Sequence, residues 1–138
     1  EKMGETVTVT VTGTQTDVTP PVTISTVEQG EHHKKGETTY VLYQQEEDGQ
    51  KVHHKIKIKG GTVELHRSGD SQSRMVFEEG RSYVSPYETA GLHLMMEMRT
   101  QKVEIEEQED RTRIRLEYEL LLEGAHASDN RTEIVIQK

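Results

Sequence analysis

Residues 113–122 place an apolar side chain at every second position: Ile114, Leu116, Tyr118, Leu120 and Leu122. Arg113, Arg115, Glu117 and Glu119 stand between them. A period of two belongs to a strand with one dry and one wet face, and a helix cannot segregate it. The same period runs through Val7, Val9 and Val11, which alternate with Thr6, Thr8, Thr10 and Thr12. It recurs at Val52, His54, Ile56 and Ile58, at Val63, Leu65 and Arg67, and at Leu92, Leu94, Met96 and Met98. Shorter pieces are Val22 and Ile24, the run Tyr40 to Tyr43, Met75 and Phe77, and Ile134 and Ile136. No stretch of helical length carries a 3.6-residue period; residues 81–90 are expected to hold a short helical turn.

Breaks fall between these runs. Pro20-Pro21 cannot donate to a ladder and marks a strand end. Asp48-Gly49 is the strongest hairpin signal, because a type I′ turn needs positive φ at both central residues. Gly36, Gly60-Gly61, Ser68-Gly69-Asp70 and Gly80 mark further turns. Two changes of parity predict bulges: one near Ser25–Thr26, where Val27 is out of phase with Ile24, and one between Arg99 and Lys102, ahead of Val103 and Ile105. The sum is about nine or ten short strands joined by tight turns, the pattern of a sandwich or barrel. Hairpin neighbours favour an all-β, antiparallel, mostly up-and-down sheet, and closure into a barrel removes its edges. The 138 residues suit a single domain spanning 1–138. Only 30% of the residues are apolar, enough for a sheet that buries one face.

Charge and residue types narrow the function. The chain has 25 acidic and 17 basic residues, a net charge of −8, which disfavours nucleic acid as a partner. Lys51, Lys55, Lys57 and Lys59 share one strand face and are expected to form a solvated outer surface. Absence of cysteine excludes disulfides and cysteine-based metal sites or nucleophiles. No apolar run approaches the ~20 residues of a membrane helix, so no membrane partner is expected, and no secretory signal peptide is visible.

His66-Arg67-Ser68-Gly69, Arg74-Met75-Val76-Phe77, Gly80, Tyr87-Glu88-Thr89, Gly91 and Thr100 resemble the signature of the YwiB-like family. The resemblance continues to about residue 137; upstream it rests on strand pattern. The glycine after Tyr-x-Thr comes about one position early. The resemblance implies a calycin-like, lipocalin-like β-barrel of a bacterial, cytoplasmic protein, and it supplies no activity and no catalytic residue.

Chemical motifs are sparse. His32-His33 and His53-His54 are adjacent pairs whose members point to opposite strand faces, so neither pair can grip one ion. No metal site and no cofactor are expected. Ser68 beside His66 and Asp70 is read as a turn, since residues this close in sequence do not adopt relay geometry. Glu104 to Asp110 lacks the spacing of a calcium loop and is read as a solvated edge. No catalytic motif is present, and the chain is expected not to be an enzyme. The informative positions are polar residues with inward parity. Arg67 follows Val63 and Leu65, His54 precedes Ile56 and Ile58, and Tyr118 lies mid-stripe. A buried arginine needs a carboxylate, carbonyls, water or a ligand.

Two functions follow. One is a barrel, monomeric or homodimeric, that binds a small, partly apolar, anionic ligand inside. Arg67, His54 and Tyr118 would provide its polar contacts, and Met96 and Met98 its apolar floor. The other is a protein–protein interaction module with a filled interior and an exposed surface around Tyr83 and Tyr87.

Overall fold

The computed structural model describes residues 4–138, and its regular elements are ten strands. They are β1 (Glu5–Gln15), β2 (Val22–Lys35), β3 (Thr38–Glu47), β4 (Gln50–Lys59), β5 (Thr62–Ser68), β6 (Ser71–Phe77), β7 (Ser82–Thr89), β8 (Leu92–Glu107), β9 (Arg111–Leu122) and β10 (Ala125–Gln137). Each pairs antiparallel with its neighbours in sequence, and β10 returns to β1, so the sheet closes into an up-and-down barrel. At the closing seam Val9 faces Ile136 and Val11 faces Ile134. This is the closed up-and-down barrel that the alternation implied, of the calycin-like kind that the family resemblance implied. No helix in the described residues is long and apolar enough to cross a membrane.

Tight turns set the register. Asp48-Gly49 has φ of 52° and 78°, the double left-handed conformation of a type I′ turn. Ala90-Gly91 (44° and 80°) and Glu123-Gly124 (49° and 80°) repeat it with a non-glycine first residue. The early glycine noted in the sequence therefore completes an ordinary two-residue hairpin.

Inward residues from all around the wall meet in one core. Val7, Val9, Val41, Ile56, Ile58, Val63, Phe77, Met96, Met98, Ile114, Leu116, Ile134 and Ile136 form its buried cluster. Phe77 packs on Tyr118 with ring centroids 4.6 Å apart.

The bulge near residue 101 is present. Thr100 faces Tyr118, Lys102 faces Glu117, and Gln101 is the extra residue. This slip returns Val103 and Ile105 to the interior after Met96 and Met98. Two expectations need correction. The first is the bulge at Ser25–Thr26: β1 and β2 pair without a slip from Glu5↔His32 to Gln15↔Val22. Val27 is an apolar residue on the wet face, 62% exposed, and not a sign of changed parity. The second is the helical turn at 81–90, which is strand β7, paired with β8 from Ser82↔Arg99 to Thr89↔Leu92.

Deleting Gln101 should turn Lys102–Glu107 by one residue, exposing Val103 and Ile105 and inserting charges into the core. We expect loss of the cooperative thermal transition in circular dichroism. Gln101→Ala, which keeps the residue count, should change unfolding free energy by less than about 0.5 kcal/mol.

Candidate functional site

Hairpin register brings three polar residues into one inward row. His54 on β4 lies opposite Tyr43 on β3 and Arg67 on β5. The Tyr43 and His54 rings stack, with centroids 4.7 Å apart and planes 8° from parallel. Burial pushes the Tyr43 hydroxyl up to about 12. Burial, then the neighbouring Arg67 charge, hold the His54 imidazole below its usual range. Its buried Nε2 has no hydrogen-bond partner among the described residues.

Arg67 has its partners within the chain. Nη1 and Nη2 donate to Oε2 and Oε1 of Glu47 at 3.2 and 3.0 Å, and Nε donates to Ser71 Oγ at 2.7 Å. Asp70 Oδ1 stands 3.8 Å from Nη2. The planar fork is thus engaged in a bidentate carboxylate pair. That pair raises the Arg67 pKa and holds Glu47 below the usual carboxylate range. Glu47 ends β3 and Ser71 begins β6, so Arg67 ties three strands at one end of the barrel.

Met96, Met98 and Tyr118 belong to the packed interior. Met98 is fully buried, and Tyr118 packs against the core cluster with its hydroxyl pKa raised by burial. The structure brings Arg67 and His54 together, while the two methionines and Tyr118 are part of the packed core cluster.

A broad concave space lies elsewhere. A groove of about 1160 Å³, open to solvent, crosses the outer wall over β1 to β7. Its size is on the scale of small-molecule sites, roughly 300–1,000 Å³. Its side chains are mainly those of outward parity, including Leu42, His53, Lys55, His66, Arg74 and Val84. His54 and Arg67 contribute to its floor through the strand backbone, since their side chains face the other way. Gly30 is part of the groove wall. A Cβ at Gly30 would lie 2.8 Å from the Leu42 carbonyl oxygen and 3.3 Å from Val9 Cγ2, so the neighbouring strands approach closely here and leave no room for a side chain.

Charge in the groove is uneven. His66 Nε2 and Arg74 Nε both contact Glu64 Oε1, at 2.9 and 3.1 Å. Burial alone would raise the Glu64 pKa, but these two bonds hold it down. The two Nη groups of Arg74 have no partner among the described residues, and Lys55 has no carboxylate within 4.0 Å. Leu42 and Val84 supply exposed apolar surface, at 39% and 60%.

Tyr83 and Tyr87, expected on an exposed surface, require correction. Strand parity in β7 turns both inward, where they pack against the core cluster. Tyr83 Oη donates to Glu78 Oε1 at 2.6 Å.

A polar cluster absent from the sequence reading lies at the start of β10. His126 Nδ1 is 2.7 Å from Glu119 Oε2, and Nε2 is 2.9 Å from Asp17 Oδ2. Asp129 also approaches, so ligand-type atoms of Asp17, His126 and Asp129 lie within 4.8 Å of one another. A bulge at Ala127 produces the convergence: His126 faces Leu121 and Ser128 faces Leu120. Both ring nitrogens already contact carboxylates, so the cluster works as an ionic clasp from the β1–β2 loop to β9. Its two hydrogen-bonded carboxylates raise the His126 pKa, and His126 in turn lowers that of Asp17.

Residues 8–134 match a protein family described as a domain of unknown function, DUF1934. No curated protein matches the chain. Among solved structures, the crystal structure of ywiB protein from Bacillus subtilis is similar, with a TM-score of 0.87 at 23% identity, covering 99% of this chain and 93% of that one. At that identity the likeness speaks for the fold alone.

Arg67→Met should strand Glu47 and Ser71. We expect urea-induced unfolding to show a loss of about 1–2 kcal/mol, limited by the half-exposed Glu47. The His126 clasp gives a pH signature. Because the His126 pKa is raised, the stability it contributes is present below about 6.5, the unfolded value, and fades as pH rises through the folded pKa. At the acid end it persists until Asp17, with its lowered pKa, is protonated. The melting temperature of wild type should therefore exceed that of His126→Gln most in mildly acidic buffer, and the two should converge at alkaline pH.

Proposed function

Because the chain belongs to the DUF1934 family, whose description fixes no chemistry, we propose from its geometry that it is a non-enzymatic binding barrel. It holds a small, partly apolar anion in the groove on its outer wall. The observation that carries this reading is the juxtaposition of an open space of about 1160 Å³ with Lys55 and Arg74, next to the apolar Leu42 and Val84. A carboxylate or similar head group would pair with Lys55 and the open Nη groups of Arg74. A short alkyl or aryl body would cover the two apolar side chains.

The interior is the weaker location. Arg67 would have to give up a bidentate partner to hold a ligand anion, and breaking such a pair leaves Glu47 uncompensated. Met96, Met98 and Tyr118 would have to move out of a filled core. The outer groove demands neither change. A setting in the cytoplasm fits the absence of cysteine.

Isothermal titration with dodecanoate tests the reading. Lys55→Glu and Arg74→Glu should each weaken binding by at least about tenfold, the equivalent of 1.4 kcal/mol. Met98→Ala should lower unfolding free energy by about 2–4 kcal/mol through a core cavity while leaving affinity unchanged. Binding that ignores both charge reversals and is lost in Met98→Ala would move the ligand into the barrel. Absence of binding by dodecanoate and by aromatic carboxylates of similar size would remove the proposal.

A further inference from the structure

The two walls of the barrel treat their charges differently. On β8, β9 and β10 several outward cations have carboxylates in contact along and across strands, although Arg111 and Arg131 have none within 4.0 Å among the described residues. Arg99 approaches Glu97 and Glu119, Lys102 approaches Glu104 and Glu117, and Arg113 and Arg115 share Glu133. The outer face of β4 has no such lattice. Lys51, Lys55, Lys57 and Lys59 all point outward, opposite Glu46, Leu42, Tyr40 and Thr38 of β3. None of the four has a carboxylate within 4.0 Å among the described residues. A chain of net charge −8 therefore keeps a row of four lysines on one strand, with Glu46 across from Lys51 and Glu64 across from Lys57 as its facing carboxylates and none across from Lys55 or Lys59.

Geometry defines what would complement that row. Successive outward residues of a strand are about 6.6–6.8 Å apart, so Lys51 to Lys59 spans ~26 Å. An extended polypeptide with an acidic residue at every second position has the same repeat and presents its carboxylates on one face. Tyr40 and Leu42, directly beside Lys57 and Lys55, would meet apolar parts of that segment. Single-stranded nucleic acid would need several aromatic faces for stacking, and Tyr40 is the aromatic residue beside the row.

We propose that the outer face of β4, flanked by Tyr40 and Leu42, is a docking rail for an extended acidic segment of a partner protein. The rail shares Lys55 and the flanking Leu42 with the groove and rests on that reading only there, because Lys51, Lys57, Lys59 and Tyr40 do not line the groove. The segment lies along the strand, its alternate carboxylates over the four ammonium groups.

Fluorescence anisotropy with a labelled peptide of about twelve residues, alternating Glu and Thr, tests the rail. A thymidine oligonucleotide of equal charge and dodecanoate serve as comparison probes. The double variant Lys57→Glu, Lys59→Glu should weaken peptide binding by at least about tenfold and leave dodecanoate affinity unchanged. Lys57→Gln, Lys59→Gln should give an intermediate loss, which keeps the test valid if the charge reversals disturb folding. Wild-type affinity should fall as salt rises. The rail is overturned if the peptide does not bind, if its affinity is indifferent to both double variants, or if the oligonucleotide binds more tightly. Rail-dependent peptide binding without dodecanoate binding would retain the rail and reject the groove.

Discussion

Closure of the sheet through the β1–β10 ladder is the constraint from which the other features follow. Once Val9 and Val11 face Ile136 and Ile134, every strand has two paired neighbours, and parity alone decides which side chains are inside. A one-residue slip anywhere would exchange the two faces of that strand. The barrel contains slips in only two ladders, at Gln101 and Ala127, and each has a local consequence. The first returns Val103 and Ile105 to the core. The second aims His126 at Asp17 and Glu119.

Parity also explains why the functional surface is sought outside. The inward positions are largely claimed by Val, Ile, Leu, Met, Phe and Tyr side chains, and a close-packed interior does not rearrange cheaply. Polar residues that share the inward face are positioned by it. Arg67 meets Glu47 because the Asp48-Gly49 hairpin returns the chain so that β4 lies between β3 and β5, leaving both side chains on the inner face at one barrel end. What the interior excludes, the wall offers. Part of the outer surface is concave, and the neighbouring strands line it with lysine, histidine and arginine as well as Glu31 and Glu88.

Much of this is readable before any coordinates, and the unreadable part has a physical reason. Alternation in β1, β4, β8 and β9 specifies strands and faces because one side of each is dry. The bulge at Gln101 is legible since apolar residues on both sides of it register the change of parity. The bulge at Ala127 is silent, because Ala125 to Asn130 contains no apolar alternation to be shifted. Val27 misleads for the opposite reason: one apolar residue on a wet face mimics a change of phase. The inward direction of Arg67 and His54 follows from their strands. Their partners do not, since Glu47 lies 20 residues from Arg67 and Ser71 lies beyond a turn. The groove is the least legible element. Its outward residues look like those of any solvated strand, and the concavity they line is a property of how the strands curve together, which no single residue in the sequence announces.

The contrast between the walls connects fold to function. Cross-strand pairs on β8–β10 each gain little, about 0.2–1 kcal/mol, but together they leave that surface without a strong local field. On β4 glutamates stand across from two of the four lysines, Glu46 from Lys51 and Glu64 from Lys57, and neither forms a close pair. β3 supplies threonine, tyrosine and leucine beside Lys59, Lys57 and Lys55. Like charges along a strand face repel one another, so a row of lysines contributes nothing to folding that neutral residues would not. Its favourable energy is realised only when an anion arrives. Because the chain as a whole carries a net charge of −8, a row of lysines is the kind of region to which a negatively charged partner would be steered. Paired basic residues along β9 and unpaired ones along β4 therefore differ in what folding gives them, and the proposed rail lies where folding leaves lysines without close partners.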